Sequence, residues 1–435
     1  MKKILSNTLL GVLLPFLLCV MSYSQNHGYF ASNYAILYQS FLILLAIHSC
    51  LSFIGLSYQY TWLLYIVLVL PLGNLYLFLD TSLRILLFIA GLYPIKKLPK
   101  KPIVIALCVL LAINSFNLLQ ADYKARQDSK TLLSKVGCNR QISPSKNMYW
   151  IVCDAYTSKE ILQQYYQFNN SRFYESLENL GFETPDGFTP NYPTLKAINT
   201  YLQPFDWDPK ASSSLCLHYM IKKAPLLQDL KKEGYTLHLL EPRFPFLQNL
   251  PTFETLEPRP STSYLEFMYA SCYRTKLLAH NLSTLLNKKL FERQEAIFQM
   301  LYDLTPAEGK HFYYIHLDLP HAPFILKDDG RFNNDQGCLI WGENEVSKYA
   351  YSKEDYCEQY IHQIKGLNPK LLACLKAIIE KDPTATIILQ GDHGTFMTED
   401  ALEHQSFLFA IRNPSVPNTT PLEAQNVLKQ WTYEK

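Results

Sequence analysis

Acidic side chains are almost missing from the first 120 residues of this 435-residue chain, where Asp80 is the only one. Seven basic residues share the stretch (Lys2, Lys3, Arg84, Lys96, Lys97, Lys100 and Lys101), while the other 33 basic and 37 acidic residues lie beyond Gln120. The whole-chain figures, 48% hydrophobic, 18% charged and a net charge of +2, therefore average two unlike parts. A net charge near zero, with no basic stripe interleaved with aromatics, excludes a nucleic-acid binder driven by bulk basicity. Cys-x-x-Cys pairs and Cys/His zinc spacings are absent, and no repeat or low-complexity segment stands out. The length allows about two to three domains.

What the first part does have is long apolar runs. Ile4 to about Met21 follows Lys2-Lys3 and is long enough to span a ~30 Å hydrocarbon core. A second run, Tyr34–Ser57, follows at once, which favours a retained helix over a cleaved signal peptide. Tyr60–Ile95 is apolar over 36 residues, broken near Pro71-Leu72-Gly73-Asn74 and Asp80–Arg84, and reads as two passes. Ile103–Leu119 is the last run, preceded by Lys96, Lys97, Lys100 and Lys101. About five spans from a cytoplasmic N-terminus would put those lysines on the cytoplasmic side and everything after residue 120 outside. The expected organisation is a transmembrane bundle over residues 1–119, a linker over 120–146, a catalytic domain over 147–415 and a tail over 416–435. Cys138, Cys153, Cys216, Cys272, Cys338, Cys357 and Cys374 then lie where disulfides persist, although an odd number leaves at least one thiol unpaired.

In the outer part, apolar strand-like runs alternate with helical stretches. Strands are expected at 147–153, 235–240, 311–317, 384–389 and 407–411. Helices are expected at 158–167, 171–180, 226–233, 264–301 and 353–381. This alternation predicts an α/β domain around a mostly parallel sheet, which binds ligands beyond the carboxyl ends of its strands. Three such ends carry Asp154, then Asp318 with His321, then Asp392 with His393 inside Gly391-Asp392-His393-Gly394. Singly, each has an ordinary explanation: Asp154 can cap a helix, and His321 and His393 can sit in plain turns. Together they form a donor set suited to a divalent cation such as Zn or Mn.

The chain resembles the alkaline phosphatase superfamily, in its sulfatase-like membrane branch of phosphoethanolamine transferases and lipoteichoic acid synthases. The resemblance is carried by Tyr149-Trp150-Ile151-Val152-Cys153-Asp154-Ala155-Tyr156, by Asn191-Tyr192-Pro193-Thr194, by the segment from Phe312 to Phe324, and by Ile388-Leu389-Gln390-Gly391-Asp392-His393-Gly394. It implies an alkaline-phosphatase-like domain behind a membrane bundle, Asp154, Asp392 and His393 as ligands of a divalent metal, and Thr194 as nucleophile. Thr157, Thr189 and Thr200 remain competitors for that role. His321 is similar to the family histidine that contacts the transferred group, His404 matches a later metal or substrate histidine more loosely, and His316 and Asp318 are weaker candidates. No cysteine stands in a Cys-x-Pro-x-Arg context, so sulfate-ester hydrolysis is disfavoured. The resemblance implies a transferase of the inner or plasma membrane, acting outside the cytoplasm, that moves phosphoethanolamine or phosphoglycerol from a phospholipid donor to an envelope glycan or lipid acceptor, with no nucleic-acid partner. A phosphoester hydrolase using water and an inactive sulfatase-like assembly protein are the alternatives.

Overall fold

The computed structural model describes residues 11–13, 16–17, 19–20, 35–53, 100–134, 147–189, 191–203, 213–240, 253–255, 279–306, 308–334 and 352–412. The chain divides into two compact units near Gln127. In the first, helix α1 (Ala35–Phe53) and helix α2 (Lys100–Leu133) are described, and Leu44 packs with Val12 and Cys19 while Leu107 packs with Leu17. Among the described residues only Pro102–Leu133 is both long and apolar enough to cross a membrane. It leaves Ile105, Val109, Leu110, Ile113, Phe116 and Leu119 exposed among the described residues. The expected passes within Tyr60–Ile95, most of Ile4–Met21, and the tail 416–435 lie outside the described residues, so a bundle of five is an expectation only. The helix continues beyond Leu119 through the first half of the segment expected as a linker.

The second unit is an α/β layer structure. Its sheet has the order β4-β3-β5-β1-β6-β8, built from β1 (Met148–Cys153), β3 (Tyr235–Leu240), β4 (Phe253–Thr255), β5 (Lys310–Leu317), β6 (Thr386–Gly391) and β8 (Phe409–Arg412). All neighbours pair in parallel except β6 with β8. The central strand, β1, is buried at all six residues, as an uninterrupted apolar run with helices on both faces requires. On one face, Tyr149, Ile151 and Cys153 pack with Ile161 and Leu162 of α3 (Lys159–Tyr166), Phe173 and Leu177 of α4 (Ser171–Asn179), Ile297 of α8 (Ala279–Asp303) and Ile364 and Leu367 of α9 (Lys353–Lys381). On the other, Trp150 and Val152 pack with Ile198 and Tyr201 of α5 (Thr194–Leu202), Ile221 of α6 (Ser214–Lys222) and Leu227 and Leu230 of α7 (Pro225–Lys232).

Sequence and structure part company at the sheet's margins. The expected strand 407–411 is two pieces, β7 (Ser406–Phe407) and β8, because the amide of Leu408 turns away to donate to the carbonyl of Tyr156 at 2.8 Å. β7 pairs with β2 (Gly187–Phe188) in a separate two-stranded ribbon that, like β4, is too short to have shown a period of two. Of the helix expected from 264, residues before Ala279 lie outside the described residues. Cys153, Cys216, Cys357 and Cys374 are thiols, so among the described residues of this unit no disulfide forms.

The turn leaving β1 is tied down by one core side chain. Tyr360 of α9 donates its hydroxyl proton to the carbonyl of Ala155 at 2.7 Å and accepts from the amide of Thr157 at 3.1 Å. Replacing Tyr360 with Phe strands two buried backbone groups, at about 1–3 kcal/mol. Tyr360→Phe is expected to lower the thermal unfolding midpoint of the detergent-solubilised chain by several degrees, and an unchanged midpoint would show the turn to be held by other contacts.

Candidate metal centre

Strand register assembles the site. Cys153 is level with Leu317 on one side and Gly391 on the other, so Asp154, Asp318 and Asp392 leave three adjacent parallel strands at one height. Alternation then sorts them by face. Met148, Trp150 and Val152 point to the face covered by α5, as do Phe312, Tyr314 and Ile388. Continuing those phases brings Asp154, His316 and Asp392 together on that face, with ligand atoms all within 4.8 Å of one another and all three residues buried. Asp318 falls on the other side, where Gln294 donates to its Oδ2 at 3.2 Å. Asp318 shares the even phase of His316, but β5 ends at Leu317, so alternation no longer governs it and its carboxylate turns toward α8; that His316 joins the cluster could not be read without the register.

His393 and Thr194 complete the group. His393 Nε2 lies 3.4 Å from Asp392 Oδ2, 3.8 Å from Asp154 Oδ1 and 3.2 Å from Thr194 Oγ1. His393 Nδ1 is 2.6 Å from the carbonyl of Gly394; a carbonyl only accepts, so the proton sits on Nδ1 and Nε2 carries the lone pair in the neutral ring. Thr194 is the first residue of α5, and its N-cap, Pro193, makes no side-chain cap. The rival hydroxyls are engaged elsewhere. Thr157 donates to Ser406 O, Thr189 to Asn191 O, and Thr200 to Lys196 O while accepting from Asn191 Nδ2.

The residues present fit a divalent cation. Asp392 Oδ1 accepts the amides of Ala155 and His393 at 2.9 and 3.0 Å, which orients the carboxylate, yet Oδ2 accepts no hydrogen bond. Among the described residues neither oxygen of Asp154 accepts one, and both acids are fully buried. Three buried carboxylate oxygens without donors would cost several kcal/mol if left uncompensated. Two atoms bound to a tetrahedral ion at the usual ~2.0–2.2 Å lie about 3.3–3.6 Å apart, close to the 3.4 Å of His393 Nε2 and Asp392 Oδ2. His316 Nε2 stands 3.9 Å from Asp154 Oδ2, and its Nδ1 meets the Tyr314 hydroxyl at 2.7 Å, the outer partner a ligating imidazole normally has. Burial alone would raise the Asp154 carboxyl, but the imidazoles of His321, His316 and His393 around it outweigh burial and hold it well below the usual carboxylate range.

His321 reaches the same end of the sheet, its amide donating to the carbonyl of Asp154 at 3.0 Å. His404 is less direct. Its Nε2 donates to the carbonyl of Thr398 at 2.8 Å, and its ring packs on Phe396 and Tyr192, at 4.6 and 5.2 Å between centroids. Phe396 in turn packs on His393, so His404 supports the segment entering Thr194 rather than joining the acids. The glycines beside Asp392 serve backbone packing: a Cβ on Gly391 would stand 2.4 Å from Tyr156 O, and one on Gly394 1.9 Å from Glu403 O. Sequence reading missed Glu403, a fully buried carboxylate that accepts from Thr395 Oγ1, from the amides of Met397 and Thr398, and from Thr398 Oγ1, fixing the loop after the Asp-His pair. Only its position one residue before His404 hinted at a role.

No family model and no curated protein sequence matches the chain. Among solved structures it is similar to the integral membrane lipooligosaccharide phosphoethanolamine transferase A from Neisseria meningitidis, at 10% identity over 96% of this chain and 92% of that one, with a TM-score of 0.41. The C-terminal periplasmic domain of EcEptC from Escherichia coli, in complex with Zn, matches at 10% identity over 67% of this chain and 81% of that one (TM-score 0.37). The lipoteichoic acid synthase LtaP from Listeria monocytogenes matches at 12% identity over 63% and 66% (TM-score 0.36). Sulfatases also occur among the neighbours. At this level of similarity the residues of the chain itself have to carry the chemistry.

The full-length chain, purified without chelator, is expected to contain a stoichiometric divalent transition metal by elemental mass spectrometry. Asp154→Asn and Asp392→Asn should each lower its occupancy at least about tenfold at a fixed free-metal concentration. A wild-type chain that stays metal-free after incubation with zinc or manganese would remove the basis of the site.

Proposed function

We propose that the protein is a membrane-anchored, extracytoplasmic, metal-dependent transferase that moves a phospho-alcohol group, phosphoethanolamine or phosphoglycerol, from a phospholipid to an envelope glycan or lipid through a phosphothreonine intermediate. The observation that carries this reading is Thr194 Oγ1 at a helix start, 3.2 Å from His393 Nε2 and beside a buried pair of carboxylates. Asp154, Asp392, His393 and His316 would hold the metal. The bound ion supplies charge neutralisation at the phosphoryl oxygens and lowers the pKa of the Thr194 hydroxyl.

The remaining steps belong to the chain's own groups. Thr194 Oγ, having lost its hydroxyl proton to solvent, attacks phosphorus, the bond from phosphorus to the diacylglycerol oxygen breaks, and the released alkoxide takes a proton to become the alcohol. His321, half-buried beside Asp154, is the group placed to give that proton and to take one back from the acceptor hydroxyl. The acceptor oxygen then attacks the phosphothreonine, the bond from phosphorus to Thr194 Oγ breaks, and the Thr194 alkoxide regains its proton from solvent. The start of α5 favours the anionic group throughout. The expected division at residues 119, 146 and 415 is part of this proposal, while the compact units divide near Gln127, and the lysines before Ile103 favour placing the catalytic unit outside.

Intact-mass measurement of the chain after incubation with mixed phospholipids should show an adduct on Thr194 of one ethanolamine phosphate or one glycerol phosphate. Thr194→Ala should abolish it and lower turnover by roughly 10³-fold or more. An adduct on Thr157 or Thr200 would refute this nucleophile. Added protease should cleave residues 121–435 from the outer side of sealed cells, and protection there would reverse the topology.

A further inference from the structure

The loop that follows β5 carries His321 in the sequence Pro320-His321-Ala322-Pro323, where two residues have no amide proton to build a turn with. Each of the six successive carbonyls from Pro320 to Ile325 nevertheless has a donor. Ala322 O accepts from the ring of His321, at 2.5 Å from Nδ1. Phe324 O accepts from Asn333 Nδ2 at 3.2 Å, and Ile325 O from the Asn333 amide at 2.8 Å. The other three converge on one side-chain amide: Gln363 Nε2 lies 3.0 Å from Pro320 O, 2.9 Å from His321 O and 3.4 Å from Pro323 O. Its Oε1 accepts the amides of Ile325 and Leu326 at 2.6 and 3.1 Å.

Gln363 sits in the middle of α9, fully buried, among Tyr360, Ile364, Leu367 and Leu371 on the helix's core-facing side. A polar group there is costly unless it is satisfied, and its partners all belong to the His321 loop. Only a terminal amide offers two protons to carbonyls and a lone-pair oxygen to amides at one point. Glutamate has no proton to give and methionine neither donates nor accepts well. Since the amide of His321 is held on Asp154 O and its Nδ1 on Ala322 O, the clamp on its carbonyl leaves the ring little freedom.

We propose that Gln363 is a positioning residue for His321, closing the Pro320–Pro323 loop onto α9 so that the imidazole is held at the Asp154 end of the metal centre. The catalytic consequence rests on the reading of His321 as the proton-handling group, whereas the clamp itself can be tested without turnover. The metal-loaded full chain, labelled with ¹³C at histidine Cε1 and kept in detergent, carries eleven histidines. Those of His321, His316 and His404 can be assigned from single His→Gln variants.

Gln363→Met should shift or broaden the His321 signal, leave those of His316 and His404 in place, and leave metal content unchanged. Turnover on phospholipid should fall about 10–100-fold in kcat with KM within about threefold, as expected for a misplaced rather than a missing group. An unmoved His321 signal overturns the proposal, and so does equal movement of all three signals, which would make Gln363 a general packing residue. Should Gln363→Met not fold, Gln363→Glu, which keeps the acceptor and removes the donors, is read against the same outcomes. A wild-type chain without turnover whose His321 signal still responds would retain the clamp and remove the proposed function.

Discussion

Two carboxylates buried side by side without enough donors are the constraint around which the second unit is arranged. Asp154 and Asp392 leave adjacent strands at one height, and among the described residues three of their four oxygens accept no hydrogen bond. Carboxylates in that setting repel each other and lose their hydration, so the fold supports them only with positive charge between them. The surroundings are built to that end. Three histidines act on Asp154, and Asp392 is oriented by two backbone amides through the one oxygen that does not face the cluster. The three strands that deliver these groups are the most deeply buried of the sheet, which makes the site as rigid as the core beneath it.

Much of this was legible in the sequence because apolar runs ending in acids are a strong signal. β1, β3 and β5 lie within a residue of where the runs put them, and Asp154, Asp392, His393, His321 and Thr194 come together from segments up to 239 positions apart. The third strand end was read differently. His316 and Asp318 were both weaker candidates, and the pairing of Val152 with His316 and Gln390 puts His316 on the face of α5, whereas Asp318, past the end of β5, turns to Gln294. Register depends on contacts remote in sequence, so no local pattern contains it. The same holds for Glu403 and Gln363, whose importance comes from the loops that fold onto them.

The supporting groups share a logic. Backbone near the candidate metal centre is irregular, and irregular backbone must find its hydrogen bonds outside itself. Glu403 collects donors from residues 395–398, Gln363 collects carbonyls and amides from 320–326, and Tyr360 bridges Ala155 and Thr157. Two of these three stand on α9, so one long helix, apolar along the rest of its inner face, secures both the turn after β1 and the loop after β5.

Ala155 shows how closely the two acids are coupled. Its φ of 57° is left-handed, a conformation that costs an alanine roughly 1–2 kcal/mol. In that conformation its amide reaches Asp392 Oδ1 at 2.9 Å while its carbonyl takes the Tyr360 hydroxyl at 2.7 Å. Two buried hydrogen bonds, one to a charged acceptor, contribute about 2–4 kcal/mol and so exceed the strain. The residue directly after the first acid is thereby held by the second. A β-region turn at this position would break that link, freeing Asp392 Oδ1 from the Ala155 amide and leaving Asp154 without its fixed exit from the strand. The strained turn is therefore part of the centre, even though Ala155 offers it no side-chain chemistry.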